Sequence, residues 1–184
     1  MHLTGFRQLV TTALCAFLGV FSLVACTSTS NPTDIRSYAQ QISAQLMASG
    51  TYVRGGERVM ITTPAWLEGD LRQADLIALQ LQEGLMAELH KAHLHVVEFK
   101  LTDGVRVTAQ GDFALSRDYL ELRETQAVNY VLTATAVQRH DGVTVNARLI
   151  GFTDQVVAAT AEVTIPQVLV DQLRSEEGVQ LVAR

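Results

Sequence analysis

Residues 129–165, NYVLTATAVQRHDGVTVNARLIGFTDQVVAATAEVTI, alternate between apolar and polar side chains almost without interruption. A period of two sends successive side chains to opposite faces of an extended chain, so the stretch reads as half-buried β-structure. Asp141-Gly142 separates two alternating runs, the strongest short-range hairpin signal. With these two as the turn residues, Ala136 faces Ala147 and Ala134 faces Leu149. One face then holds Leu132, Ala134, Ala136, Val145, Ala147 and Leu149, and the other Thr133, Thr135, Asn146 and Arg148. A second turn at Thr153-Asp154-Gln155 returns the chain through Val156 to Ile165, with Ala159, Ala161, Val163 and Ile165 on the dry face and Thr160, Glu162 and Thr164 on the wet one. A sheet with one dry face needs a layer of helices on that face, and its small side chains fit helices lying close above it. Pro166 ends the last strand, and Val168–Leu181 reads as a final short helix.

Toward the N-terminus the period changes. Val59-Met60-Ile61-Thr62, closed by Pro64, is a short buried strand, and Leu94 to Phe99 is another. Between them Leu71, Ala74, Ile77, Ala78, Leu81, Leu85 and Leu89 make one broad helical stripe that Asp70 can cap. Gly84 costs that helix about 1 kcal/mol relative to alanine and implies a close neighbour. Strand, helix, strand is a right-handed crossover with both strands in one sheet. Asp103-Gly104 offers a tight turn into Val105-Arg106-Val107, and Ser116 can cap a shorter helix through Tyr119, Leu120 and Leu122 to Gln126. Ahead of all this, Ile35, Tyr38, Ala39, Ile42 and Leu46 recur at helical spacing, with Thr33 or Asp34 as cap and Gly50 past the end. The expected fold is α+β and two-layered: a mixed sheet with a βαβ crossover followed by an antiparallel meander, helices packed on one face, in one domain over 33–184.

The segment before this domain is of another kind. Arg7 is the one cation of the first ten residues, and from Leu9 to Ala25 there is no charge. Such an apolar run ending in small residues is an export signal, too short for a flanked membrane span. Leu23-Val24-Ala25-Cys26 matches the lipobox of bacterial lipoproteins, so residues 1–25 are read as a signal peptide and Cys26 as the lipidated N-terminus of the mature chain. Residues 26–32 then form a polar tether. The other cysteine, Cys15, leaves with the signal, so the body has no disulfide and holds together by core burial. Loss of residues 1–25 takes away Arg7 and no acid, leaving 13 of 14 cations against 19 acidic residues. With no cationic cluster and only Lys91 and Lys100 as lysines, nucleic acid is excluded as a partner, and attachment to outer-membrane lipid rests on the acyl chains. Thr27 stands after the acylated cysteine, where an aspartate acts as an inner-membrane retention mark in enteric bacteria, so outer-membrane delivery is expected.

Chemistry is sparse. His90, His93 and His95 with Glu88 and Glu98 are the densest zinc-ligand types, but the spacing follows no zinc motif, and solvated histidines at a helix end are expected, with no metal. No serine stands in a nucleophile elbow, and Gly55-Gly56 and Gly111 lie outside any phosphate-loop pattern. Asp112, Asp118, Glu121 and Glu124 suit an acidic helix start better than an acid pair. No enzyme and no cofactor beyond the covalent lipid is expected. Trp66, the lone tryptophan, is either half-buried packing or a contact for a partner.

Val97-Glu98-Phe99-Lys100, Arg106-Val107-Thr108 followed by Gly111-Asp112-Phe113, Ser116-Arg117-Asp118-Tyr119-Leu120-Glu121-Leu122, Tyr130-Val131-Leu132 and Val145-Asn146-Ala147-Arg148 together resemble the FlgO family of flagellar outer-membrane lipoproteins, over about Thr33 to Pro166. Glu98 departs from the commoner aspartate. The resemblance implies a non-enzymatic component of the flagellar outer-membrane assembly, needed for stable flagella and motility. Its implied partners are flagellar outer-membrane or periplasmic ring proteins, with the domain facing the periplasm and a homo-oligomer allowed. Within the matched motif, Arg106 could pair with Asp112 or Asp118 and clamp the intervening loop. The competing reading is a lipoprotein that activates or scaffolds another envelope complex, for example in peptidoglycan synthesis; a tether reaching about 20 Å speaks against it.

Overall fold

The computed structural model of the chain describes residues 34–50, 53–68, 71, 74–118 and 127–177. The segments read as signal peptide and tether, with Cys26, Asp70, the stretch read as a helix from Tyr119 to Gln126 and residues 178–184 lie outside them.

The first helical period becomes α1 (Ile35–Ser49). Asp34 caps it, its carboxylate accepting from the Arg36 N–H at 3.1 Å, and Gly50 closes it by donating to the Leu46 carbonyl at 2.9 Å. Strands β1 (Arg58–Ile61) and β2 (Ala65–Trp66) follow, then helix α2 (Leu76–Lys91). This helix starts later than its apolar stripe implied. Asp75 is its cap, accepting from the Ala78 N–H at 3.0 Å, while Leu71 has φ 63° and is 54% exposed. A left-handed residue cannot sit in a right-handed turn, so the first two stripe positions, Leu71 and Ala74, belong to the approach loop.

The end of α2 accounts for the histidines. His93 takes the left-handed position after the cap, with φ 65°, a place glycine usually fills. His93 N–H donates to the His90 carbonyl at 3.0 Å and Leu94 N–H to that of Leu89 at 3.1 Å. These two bonds make a Schellman cap, with Leu94 swung into the core at 1% exposure. Strand β3 (His95–Val97) then pairs in parallel with β1, Arg58 opposite His95 and Met60 opposite Val97, as the crossover requires.

Strands β4 (Leu101–Thr108) and β5 (Gly111–Leu115) form a separate two-stranded sheet. The expected turn at Asp103-Gly104 is absent: both residues lie inside β4, at an irregularity between Leu101 and Arg106. The chain reverses instead at Ala109-Gln110, because the Thr108 hydroxyl accepts from Gln110 N–H at 3.2 Å and donates to the Gly111 carbonyl at 3.1 Å, a side-chain mimic of a backbone turn.

Strands β6 (Tyr130–Arg139), β7 (Gly142–Gly151) and β8 (Val157–Pro166) carry the alternating third of the chain, followed by helix α3 (Gln167–Glu177). The β6–β7 turn is His140-Asp141, not Asp141-Gly142; Arg139 pairs with Gly142, so Ala136 faces Val145 and Ala134 faces Ala147. A two-residue shift preserves the faces, and Leu132, Ala134, Ala136, Val145, Ala147 and Leu149 are all buried as expected. Gly142 is drawn into the ladder because it pairs on its other side with Pro166, at φ 151°, where a Cβ would collide with the Ile165 carbonyl.

The main sheet runs β3-β1-β6-β7-β8, with β2 beside β6. Pairings are parallel from β3 through β6 and antiparallel beyond, giving the mixed sheet of a two-layer α+β fold. Its inward side chains join α1, α2 and α3 in one core. The two helices α1 and α2 touch closely at Gly84, where a Cβ would stand 2.8 Å from that of Ala39. Along the outer edge of β8, the Gln45 side-chain amide accepts from Glu162 N–H at 2.9 Å and donates to the Glu162 carbonyl at 3.0 Å. One helical turn on, the Ser49 hydroxyl does the same at Thr160, at 3.1 and 2.9 Å. Side chains four apart on a helix thus imitate a neighbouring strand and seal that edge.

Candidate contact arm

The neck of the β4–β5 hairpin is built around Lys100. Its N–H donates to Glu98 Oε1 at 2.8 Å, and its carbonyl accepts from Ser116 N–H at 2.9 Å, closing the hairpin at its base. Its Nζ donates to Gln82 Oε1 at 2.8 Å and stands 5.8 Å from the centre of the Phe99 ring. Gln82 is fully buried on α2; its Nε2 donates to the Ile61 carbonyl at 2.7 Å, and its Oε1 also accepts from the Thr63 hydroxyl at 2.8 Å. A single buried amide therefore ties together the end of β1, the loop before β2 and the neck of the hairpin.

Beyond the neck the hairpin is apolar on both sides. Arg106 pairs with Phe113 and Leu101 with Leu115, putting Phe113 and Leu115 on one face; Val107 pairs with Asp112, putting Val105 and Val107 on the other. Val107 is 75% exposed, Val105 64%, Leu115 57% and Phe113 48%. A lone two-stranded ribbon is marginal in water, since it lacks a third strand or a helix to cover a face. Among the described residues neither outer edge of this ribbon is paired with another strand. It is an arm that leaves these apolar side chains exposed, two on each of its faces.

The family-motif residues collect here. Arg106, Gly111 and Asp112 lie on the arm, Gly111 at φ 139° just past the turn. Ser116 is at the neck, its hydroxyl accepting from Asp118 N–H at 3.0 Å, and Arg117 and Asp118 are exposed beside it. Register places Arg106 and Asp112 on opposite faces. Tyr119 and Cys26 are outside the described residues.

The remaining candidates lie elsewhere. Trp66, in β2, is half-buried against the core beneath the Arg174 guanidinium, 5.6 Å from its ring centre. Glu88 is paired with Lys91 at 2.6 Å, Glu98 with the Lys100 N–H, and His90, His93 and His95 are exposed. Among the described residues no three His, Cys, Asp or Glu side chains are grouped to hold a metal, and no helix is long and apolar enough to cross a membrane. The Gln82–Lys100 pair escaped the sequence reading. The available signal was a lone polar side chain on the stripe of Ala78, Leu85 and Leu89, at helical spacing from each.

The sheet, its helix layer and the detached arm define a class, a small two-layer α+β body that projects one hairpin. The chain belongs to the FlgO family: the family model described as FlgO protein matches residues 34–170, a span that includes the arm. With the lipobox at Leu23–Cys26, that membership makes it a lipoprotein of the cell envelope. Its fold is similar to the LpoB C-terminal domain from Escherichia coli, with TM-score 0.51 and 17% identity over 73% of this chain and 99% of that one. The LpoB C-terminal domain from Salmonella enterica gives TM-score 0.47 and 14% identity over 73% and 99%. Identities this low speak of fold alone. No curated protein matches the chain in sequence.

Proposed function

We propose that this chain is a non-enzymatic outer-membrane lipoprotein of the flagellar assembly, held by acyl chains on Cys26 and presenting the β4–β5 arm to flagellar outer-membrane or periplasmic ring proteins. The observation that supports this reading is the coincidence of the family motif with the arm: Arg106, Gly111 and Asp112 lie among the exposed Val105, Val107, Phe113 and Leu115. The occupant of the arm is protein and not lipid, because an open strand edge finds hydrogen-bond partners on another polypeptide and none in hydrocarbon. Mature net charge points the same way, since it offers anionic lipid no attraction.

The test replaces the chromosomal gene with a deletion, with Cys26→Ala, and with the arm double variant Val107→Ser/Phe113→Ser. Lost or fragile flagella in all three, with an unchanged melting temperature for the arm variant, is the expected result. Sound motility with defects in wall growth would overturn the flagellar role in favour of another envelope complex. Arg106→Ala separates the clamp from a contact role. A clamp lowers the melting temperature, whereas lost motility at an unchanged melting temperature makes Arg106 a contact residue.

A further inference from the structure

We propose that Gln82 and Lys100 are positioning residues for the arm, a joint that fixes its direction against the sheet. The inference rests on the reading of the arm as the contact surface. Packing alone gives no reason for a glutamine at this place. Residue 82 is fully buried on the stripe of α2 between Ala78 and Leu85, where leucine or methionine fills similar volume with equal helix propensity. An amide there must have its polar atoms satisfied, and each of its three partners lies on a segment that the arm's attitude depends on. Ile61 ends the strand next to β3, Thr63 leads into β2, and Lys100 is the first half of the neck.

The chemistry at the neck fits the same role. Lys100 spends its N–H on Glu98, its carbonyl on Ser116 and its ammonium on Gln82, so its main chain closes the hairpin while its side chain reaches back to the core. Three residues, Glu98 to Lys100, connect β3 to β4, and among the described residues the Lys100 ammonium ties this lead by a hydrogen bond to the buried face of α2. That ammonium-to-carbonyl bond is a lateral stay on the ribbon. A hydrogen bond to a charged group shifts such an equilibrium about tenfold or more. A partner bound to the arm is then held at a fixed angle to the sheet.

The experiment measures direction and not stability. Cys15 leaves with the signal and Cys26 is acylated, so the full mature chain in detergent carries no competing thiol for spin labels at Gln110→Cys on the arm turn and Glu162→Cys on β8. Both are exposed. Pulsed dipolar spectroscopy should give one narrow distance in the parent and in Lys100→Arg, and a distribution at least about twofold broader in Lys100→Met and Gln82→Met. Melting temperature is read on the same samples. An unbroadened distance in both methionine variants overturns the proposal, and so does broadening accompanied by an equal loss of order between two labels within the main sheet. If the joint variants broaden yet remain fully motile, the arm's contact role fails while the joint stands.

Discussion

Replacing Gly84 with alanine sets two effects of known size against each other. Alanine in place of glycine inside a helix ordinarily stabilises it by about 1 kcal/mol. Here the added Cβ arrives 2.8 Å from the Ala39 Cβ and 4.0 Å from the Arg36 Cα. Carbon atoms rest at about 3.5–4.0 Å, so α1 and α2 must part by about 1 Å, and Ala39 has no rotamer with which to yield. Overpacking of this kind costs about 1–3 kcal/mol. The expected net is a loss of about 1 kcal/mol, or about 2–4 °C in melting temperature for a domain of this size. A double-mutant cycle isolates the contact: in an Ala39→Gly background the obstacle is gone, and Gly84→Ala should stabilise by about 1 kcal/mol, a coupling of about 2 kcal/mol. Urea unfolding with an unchanged m-value measures each corner. A raised midpoint for Gly84→Ala alone would falsify the close-approach argument, because it would mean that propensity acts unopposed.

Three other outcomes follow from particular contacts. Gly142→Ala should lose more than about 2 kcal/mol in urea, since φ 151° and the Ile165 carbonyl both exclude a Cβ; a midpoint within error of the parent would refute that cause. Gln45→Ala with Ser49→Ala uncovers the backbone of Glu162 and Thr160, so light scattering should report self-association at concentrations where the parent stays dispersed, and an unchanged scattering curve counts against the sealed-edge account. Burial raises the Tyr38 phenol above its ordinary 10.0, so the folded state keeps a proton that the unfolded chain gives up. That contribution is intact below pH 10 and lost as pH rises through the folded value, so Tyr38→Phe should flatten the alkaline limb of the melting curve while differing little at pH 7; identical limbs would refute it.

What could be read in advance was whatever depends on period. The faces of β6, β7 and β8 came through a two-residue error in register because an even slip leaves every side chain on its own side. The register itself was hidden, since Gly142 is placed by its contact with Ile165 and Pro166, more than twenty positions along the chain. Asp70 and Asp75 are equally good caps by composition, and only the left-handed Leu71 between them shows which one begins α2. Asp103-Gly104 is a strong local turn signal that lost to Thr108, whose hydroxyl organises the reversal five residues later. The arm was legible as a motif but not as an arm. Its exposure follows from what fails to pack on it, and a sequence window carries no record of that.

The edges of the two sheets bear on the role proposed for the arm. An acylated protein is confined to a surface, so its copies meet far more often than free molecules would, and any long open strand edge becomes a site for self-pairing. Among the described residues the main sheet ends in β8 on one side and in β3 and β2 on the other. Ten-residue β8 is sealed by Gln45 and Ser49 from α1, the first described helix, while β3 is only three residues long and β2 only two. The arm differs: among the described residues its outer edges carry no neighbouring strand, and Asp103, Arg106 and Asp112 are spaced along it. On the proposed reading, the arm's valines and phenylalanine would supply the contact, and the Gln82–Lys100 joint would decide the angle at which a protein partner is held.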